Sequence, residues 1–242
     1  MTGGSVGQRS ALPYQILAGV EPVGGGWLVA PGNLQGITLA PQAAYVLPTL
    51  ADILDYRPAF TVVALHAPVG MPDKADEPRA CDVAARSRLG RRSGAAVKAP
   101  SRGLLDARSI EDARCVDPTV DIVRWRALPK ASEALREVQS WRQRAVWEVN
   151  PELAFQEMRG GEPLRHGRRT QHGRIERIDL LSAKLPGADR VLAERPQGVR
   201  ETKLMDALAD LWTARRVVAR AITRMADPPA WDAEGVRMDI VC

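Results

Sequence analysis

Residues 15–40, QILAGVEPVGGGWLVAPGNLQGITLA, decide the fold that the sequence predicts. Three apolar runs, QILAGVE, GGWLVAP and LQGITLA, are separated by the glycine run at 24–26 and by the pair Gly32-Asn33. Short apolar runs bounded by turn residues are typical of strands joined by hairpins. The stretch therefore predicts three antiparallel strands.

Beyond these strands, helical patterns alternate with buried strand patterns. Leu50, Ile53 and Leu54 have helical spacing within residues 48–56, and the continuous apolar run 60–65 favours a buried parallel strand. The remaining predicted elements are helices at 79–89, 120–142 with a kink at Pro129, 151–159, 174–185 and 202–225, and strands at 145–149 and 236–241. This order predicts an α/β fold.

Composition limits the class of protein. The chain is 45% hydrophobic and 26% charged, as in ordinary globular proteins, and we expect one domain over residues 1–242 with a helical insertion around 79–142. The longest apolar run, 60–71, is interrupted by His66 and two prolines, so no membrane association is expected. The start MTGGSVGQRS lacks the pattern of a secretory signal, which predicts a cytoplasmic protein. The net charge of +5 favours polyanionic partners such as nucleic acid.

Several local sequences resemble one known family. The resembling segments are AGVEPVGGGWLVA (18–30), VALHAPVGMPD (63–73), RACDVAARSRLGRR (79–92), KAPSR (98–102), LPKASEALREV (128–138), EVNPELAFQEMRGGEPL (148–164), RTQHGRIERIDLL (169–181) and MDALADLWTARR (205–216). The chain resembles the family catalogued as domain of unknown function 429, whose members are described as predicted nucleases, and hence hydrolases, with a ribonuclease H-like fold. That resemblance implies three antiparallel strands followed by parallel strands with flanking helices.

The resemblance also implies where a site lies. Nucleases of this fold hold two divalent ions, Mg²⁺ or Mn²⁺, between carboxylates at two strand ends and on a late helix. The first strand of such families ends in a pattern resembling GVDG, and here GVEP places Glu21 there. The second position resembles xIDxPxGxP, and VALHAPVGMP puts His66 in place of the acid. Each also has a simpler reading, as a solvated hairpin glutamate and as a structural histidine.

The late helix departs from the family pattern in the same way. Two acids three residues apart, DxxDALA, are expected on one helical face, and here that register holds Lys203 and Asp206. The resemblance implies Glu21 and Asp206 as metal ligands. A lysine ammonium would instead occupy the place of a cation and pair with Glu21 or Asp206, unless Lys203 is simply exposed.

Further candidates are an acid at a strand end and several basic residues. Glu148 ends a predicted strand and is a candidate catalytic residue, whereas Glu152 follows Pro151 at a helix start, where capping explains it. The candidate substrate-binding residues are Lys130, which matches a basic family position, and Arg86, Lys98 and Arg102. Basic clusters bind phosphate backbones but also form ordinary solvated surfaces.

Three functions remain open on the sequence alone. The first is a metal-dependent phosphodiesterase acting on nucleic acid. The second is a binding module with a degraded metal site, because only Asp206 of the expected acids is unchanged and Glu21 is a partial substitute. The third is a non-nuclease enzyme in which Glu21, His66, Lys203 and Asp206 act on a small molecule, since a Glu beside a His is a workable proton-transfer pair.

Overall fold

The structure, a computed structural model, describes residues 14–242. The expected absence of a secretory signal concerns residues 1–10 and therefore lies outside the described residues. Within the described range, no helix combines the length and the apolar character that crossing a membrane requires.

A mixed sheet of seven strands forms the centre of residues 14–242. This sheet and a separate hairpin contain β1 (Gln15–Val23), β2 (Gly26–Gln35), β3 (Thr38–Pro41), β4 (Tyr45–Leu47), β5 (Val62–Leu65), β6 (Val146–Val149), β7 (Ala230–Trp231), β8 (Arg237–Met238) and β9 (Ile240–Val241). The sheet order is β3-β2-β1-β5-β6-β9, β4 also pairs with β2, and β7 with β8 forms the hairpin. β2 is antiparallel to β1 and β3, whereas β1, β5, β6 and β9 are mutually parallel. The carboxyl ends of these four strands meet at one end of the sheet.

Helices cover both faces of the sheet. They are α1 (Leu50–Leu54), α2 (Ala80–Leu89), α3 (Ile110–Val116), α4 (Ile122–Glu137), α5 (Pro151–Met158), α6 (Gln171–Lys184), α7 (Ala188–Ala193) and α8 (Glu201–Val218). Side chains alternate along β5: Val62 and Ala64 join a core with α5 to α8, whereas Val63 and Leu65 join a core with α1 and α4. The structure is thus a mixed α/β fold with helices on both faces of a central sheet.

Gly19 allows α8 to lie directly against β1. An added Cβ at Gly19 would lie 2.0 Å from the carbonyl oxygen of Ala207 and 2.3 Å from the amide nitrogen of Leu211. Only a residue without a side chain tolerates that approach. The contact brings one face of α8 beside the end of β1, which positions the site described below.

Three expected boundaries are wrong. The turn expected at Gly32-Asn33 lies inside β2, and the chain turns instead at Gly36, which has a φ of 60°. The helix expected at 202–225 ends at Val218, because Arg220 adopts a left-handed conformation with a φ of 54°. The single strand expected at 236–241 is two short strands, β8 and β9, which belong to different sheets.

The structure also contains α3 and α7, which were not expected, and it differs from the expectation at α4 and β4. The helix expected at 120–142 is α4, which contains Pro129 and ends at Glu137, before a short 3₁₀ helix at Ser140–Arg144. β4 was not expected, and it pairs with residues Trp27–Val29 of β2.

Candidate functional site

Glu21 and His66 meet at the carboxyl ends of adjacent parallel strands. Glu21 points to the same face of the sheet as Leu17 in β1, and His66 points to the same face as Val62 and Ala64 in β5. Both side chains therefore face α8. The His66 amide donates to the carbonyl oxygen of Val20 at 2.9 Å, which extends the pairing of β1 with β5. The two candidates predicted from strand ends are therefore neighbours.

Each oxygen of the Glu21 carboxylate contacts a different donor. His66 Nδ1 lies 2.5 Å from Oε1, and Lys203 Nζ donates to Oε2 at 2.7 Å. Burial alone raises the pKa of Glu21, but the neighbouring charges of His66 and Lys203 and their hydrogen bonds outweigh it and hold the pKa at about 2. Glu21 is therefore ionised and only accepts hydrogen bonds, so His66 Nδ1 carries the proton.

His66 and Lys203 connect this buried carboxylate to the surface. The Glu21 side chain is wholly buried, whereas that of His66 is 27% exposed and that of Lys203 is 17% exposed. Nε2 of His66 has no hydrogen-bond partner among residues 14–242. The buried acid thus orients a histidine whose second nitrogen is available as a base.

α8 presents two further carboxyl groups on the face that carries Lys203. Asp206 accepts a hydrogen bond from Arg168 Nη2, and its pKa is raised to about 8 by burial and by the charge of Glu21. Asp210 is fully buried, neither of its oxygens has a hydrogen-bond partner in the described chain, and burial beside Glu21 raises its pKa well above the usual range. Burial and the nearby charge of Glu21 both favour the protonated forms of Asp206 and Asp210.

Sequence reasoning missed Asp210. It lies four residues after Asp206 and seven after Lys203, and both spacings place residues on the same helical face. That spacing was the signal that could have identified it. A ligand atom of Asp210 lies within 4.8 Å of ligand atoms of Glu21 and His66.

The donor set does not fit the two magnesium ions of the expected nuclease site. Glu21, His66 and Asp210 bring one ligand atom each within 4.8 Å of one another, but both Glu21 oxygens already contact His66 and Lys203. The Lys203 ammonium would repel a divalent ion from the same carboxylate, and Asp206 is engaged by Arg168. An imidazole is also a poor magnesium ligand.

Three cavities of about 670, 160 and 260 Å³ meet at His66, and we refer to them together as the groove. Its basic lining residues are Arg91, Arg92, Lys98, Arg124, Arg126, Lys130, Arg168, Arg200 and Lys203. Its acidic lining residues are Glu148, Glu152 and Asp206. Cations therefore outnumber acids three to one around His66, and the groove favours anionic ligands.

Glu148 lies on the other face of the sheet. It pairs with Leu65 in the strand register and shares the parity of Val146, whose side chain joins the core with α1 and α4. Arg79 donates to both of its oxygens at 2.7 Å, and the Val69 amide donates to Oε2 at 2.7 Å. Glu148 lines only the smallest cavity of the groove, and its oxygens are engaged by this buried network.

Glu152 is not the helix cap that the sequence suggested. Asn150 caps α5, its side chain accepting from the amides of Glu152 and Leu153. Glu152 instead pairs with the wholly buried Arg177 at 2.6 Å and with Arg92 at 3.3 Å.

The four expected substrate-binding residues divide into two pairs. Lys130 and Lys98 line the groove, Lys130 also lying over the Trp27 ring and pairing with Glu133. Arg86 and Arg102 line none of its cavities: Arg86 donates to backbone carbonyl oxygens at Ser93 and Ala96. Arg102 pairs with three acids, which are Asp73, Asp232 and Glu234.

Comparison with known proteins gives one finding. A family model described as "Protein of unknown function (DUF429)" matches residues 19–230. No curated protein and no solved structure matches the chain.

Proposed function

The chain belongs to the family of proteins of unknown function DUF429, and we propose that it binds the phosphate backbone of nucleic acid in the groove around His66. We further propose that its core is ribonuclease H-like and that Lys203 replaces the metal ions of such a core. The reactive centre is then a Glu21–His66 pair rather than a cluster of carboxylates.

The strand order supports the proposed core. A ribonuclease H-like core begins with three antiparallel strands and continues with parallel strands beside the first. Here β3, β2 and β1 are antiparallel neighbours, and β5 and β6 follow parallel to β1. Glu21 and His66 occupy the ends of the two central strands, where that fold places its reactive groups.

The observation that carries the proposal is the positive lining of the groove. Four of its nine cations, Arg91, Lys98, Arg126 and Arg200, are exposed and have no acidic partner among residues 14–242. Unpaired cations along a groove neutralise phosphates and release counterions. No Phe, Tyr or Trp side chain lines the three cavities, so recognition would rest on phosphate contacts rather than on base stacking.

Fluorescence anisotropy with short single-stranded RNA and DNA at several salt concentrations tests this proposal. We expect the double variant Arg126→Gln/Arg200→Gln to weaken binding of all sequences and to reduce the salt slope by about 2, roughly one for each lost phosphate contact. The matched control is Arg108→Gln/Arg136→Gln, which removes the same charge from exposed positions outside the groove. Absence of binding at low salt, or equal slopes for the two variants, would contradict the proposal.

A second candidate function is an enzyme acting on a small molecule. The largest cavity of the groove, about 670 Å³, lies within the range of roughly 300–1,000 Å³ that small-molecule sites occupy. Glu21, His66, Lys203 and Asp206 would then act as acid, base and electrostatic groups. His66→Asp discriminates the two candidates. Gain of metal-dependent nuclease activity in this variant favours a modified nuclease site. If neither the unaltered protein nor the variant binds or cleaves nucleic acid, the small-molecule enzyme is favoured.

A further inference from the structure

We infer that this centre cleaves RNA without metal ions, by attack of a ribose 2′-hydroxyl on the adjacent phosphate, with His66 as the base, Asp206 as the acid and Lys203 stabilising the charge on phosphorus oxygens. The inference rests on the proposed binding of nucleic acid in the groove. It differs from ribonuclease H-type chemistry in its nucleophile, since no water attacks in this step.

The role of His66 as the base follows from its contact with Glu21. Glu21 fixes the proton on Nδ1 of His66, so the lone pair of Nε2 is the one available at the groove. His66 is the single residue that lines all three cavities. A backbone bound along the groove therefore passes this nitrogen.

The acid follows from the different surroundings of Glu21 and Asp206. Glu21 accepts from the Lys203 ammonium and from His66 Nδ1, whereas Asp206 is contacted by Arg168 alone and lies near the charge of Glu21. Arg168 contacts Oδ2 of Asp206, which leaves Oδ1 to hold the proton. Neighbouring carboxyl groups in such different surroundings take different roles. Here Glu21 orients the base His66, and Asp206 gives a proton.

The placement of these groups suits an internal phosphodiester. Lys203 lines the cavity of about 670 Å³ and Asp206 lines the cavity of about 260 Å³, and these two cavities share His66 alone. The attacking and leaving sides of a phosphate beside His66 would therefore lie in different cavities. Basic residues line both, including Arg126 and Arg200 on one side and Arg91 on the other, so nucleotides on both sides of the cleaved bond would be bound.

The nucleophile follows from the lack of a suitable metal donor set. A water molecule needs strong activation to attack a phosphodiester, and a metal supplies that by lowering the pKa of bound water. The 2′-hydroxyl needs less, because it is already held beside the phosphorus and reacts intramolecularly. RNA therefore supplies its own nucleophile, the 2′-hydroxyl, whereas DNA lacks this group and would bind without reacting.

The step balances without a further reagent. His66 Nε2 takes the 2′-hydroxyl proton as the 2′-oxygen forms a bond to phosphorus, and the bond from phosphorus to the 5′-oxygen breaks. Asp206 gives its proton to that 5′-oxygen. The products are a 2′,3′-cyclic phosphate and a 5′-hydroxyl, and a proton exchange with solvent restores His66 and Asp206. Lys203 Nζ acts on the negative charge that develops on the phosphorus oxygens.

The test uses the full chain with a pool of random-sequence RNA, the matching DNA pool, and excess EDTA. We expect cleavage of RNA that EDTA does not reduce, with 2′,3′-cyclic phosphate ends, and binding of DNA without cleavage. His66→Gln and Asp206→Asn should each slow cleavage by about 10²–10⁴-fold while retaining RNA binding. Since contaminating ribonucleases also leave cyclic phosphates, the variants are purified identically, and activity that survives in His66→Gln counts against the inference.

The outcomes separate this inference from the proposed function. Failure to bind either nucleic acid contradicts both. Binding without cleavage contradicts the inference and leaves the binding function standing. Cleavage that requires Mg²⁺ or Mn²⁺ and yields 5′-phosphate ends also overturns the inference, because it indicates a metal-activated water.

Discussion

Glu21 and Glu148 are both buried acids at the ends of parallel strands, yet Glu21 has two side-chain donors of its own, whereas Glu148 shares its one side-chain donor with another acid. Glu21 has two partners, His66 and Lys203, and its pKa is held at about 2. Glu148 shares Arg79 with Asp82, and its pKa is raised to about 7 because burial outweighs the attraction of Arg79.

The exposure of those partners differs as well. Arg79 is wholly buried and also donates to backbone carbonyl oxygens of Val69 and Gly70, so its donors are used within the fold. His66 and Lys203 are partly exposed and line the groove. A buried acid at a strand end is therefore no sign of a reactive centre by itself, and the exposure of its partners distinguishes the structural cluster from the candidate site.

The largest expected effect comes from removing Arg79, the cation of the buried cluster that it forms with Glu148 and Asp82. Arg79→Met leaves Glu148 and Asp82 buried without a counter-charge, and we expect a loss of about 3–5 kcal/mol in the free energy of unfolding. Lys203→Met leaves Glu21 with His66, so a smaller loss of about 1–3 kcal/mol is expected. Urea unfolding of both variants measures the difference, and equal losses would contradict the distinction between the two clusters.

The next largest effect concerns the close contact of α8 with β1, the strand that carries Glu21. Gly19→Ala would drive a methyl group into the backbone of Ala207 and Leu211, and we expect a loss of about 3 kcal/mol in unfolding free energy. Gly24→Ala is the matched control, because a Cβ there meets nothing within 4 Å. A loss at Gly19 no larger than that at Gly24 would show that α8 does not depend on this contact.

The dependence of stability on pH should show both clusters. Glu21 has a lowered pKa, so its contribution is present above about 4.5 and is lost as the pH falls towards 2. Glu148 and Asp206 have raised pKa values of about 7 and about 8, so the folded state keeps protons that the unfolded chain releases. The free energy of unfolding should therefore fall as the pH rises from the ordinary pKa of these carboxyl groups to their raised values. The slope should be up to about 1.4 kcal/mol per pH unit for each group.

Two variants show how much of this dependence of stability on pH each carboxyl group causes. Glu148→Gln should flatten the decline below about pH 7, and Asp206→Asn should flatten it up to about pH 8. Unfolding free energies from urea titrations across this range give the slopes. Stability that rises steadily from pH 5 to pH 8 in the unaltered protein would contradict the assigned directions.

Much of the fold was accessible from local patterns, and the exceptions have physical causes. Apolar runs identified the central strands, since their pairing follows from burial. The pair Gly32-Asn33 resembled a turn, but Gly32 lies inside β2, where a Cβ would crowd Leu39 and Leu211. The end of α8 depends on Arg220, whose left-handed conformation no local residue type signals.

The site was predictable at the strand ends and, through the family resemblance, at Lys203 and Asp206 of the late helix. Glu21 and His66 follow apolar runs, so their meeting could be inferred from parallel strands. Arg79 lies 69 residues from Glu148 in the chain, and no local pattern links them. Arg79 engages both oxygens of Glu148, so a position at a strand end does not by itself make this acid part of the site.

Calorimetric titration with Mn²⁺ tests most directly the central claim that Lys203 replaces the metal in this centre. The unaltered protein should show no saturable binding, because His66 and Lys203 engage both Glu21 oxygens. The double variant His66→Asp/Lys203→Asp, with its fold checked by circular dichroism, should bind Mn²⁺ because it restores carboxylates beside Glu21. Stoichiometric Mn²⁺ binding by the unaltered protein, abolished by Glu21→Gln, would contradict the account.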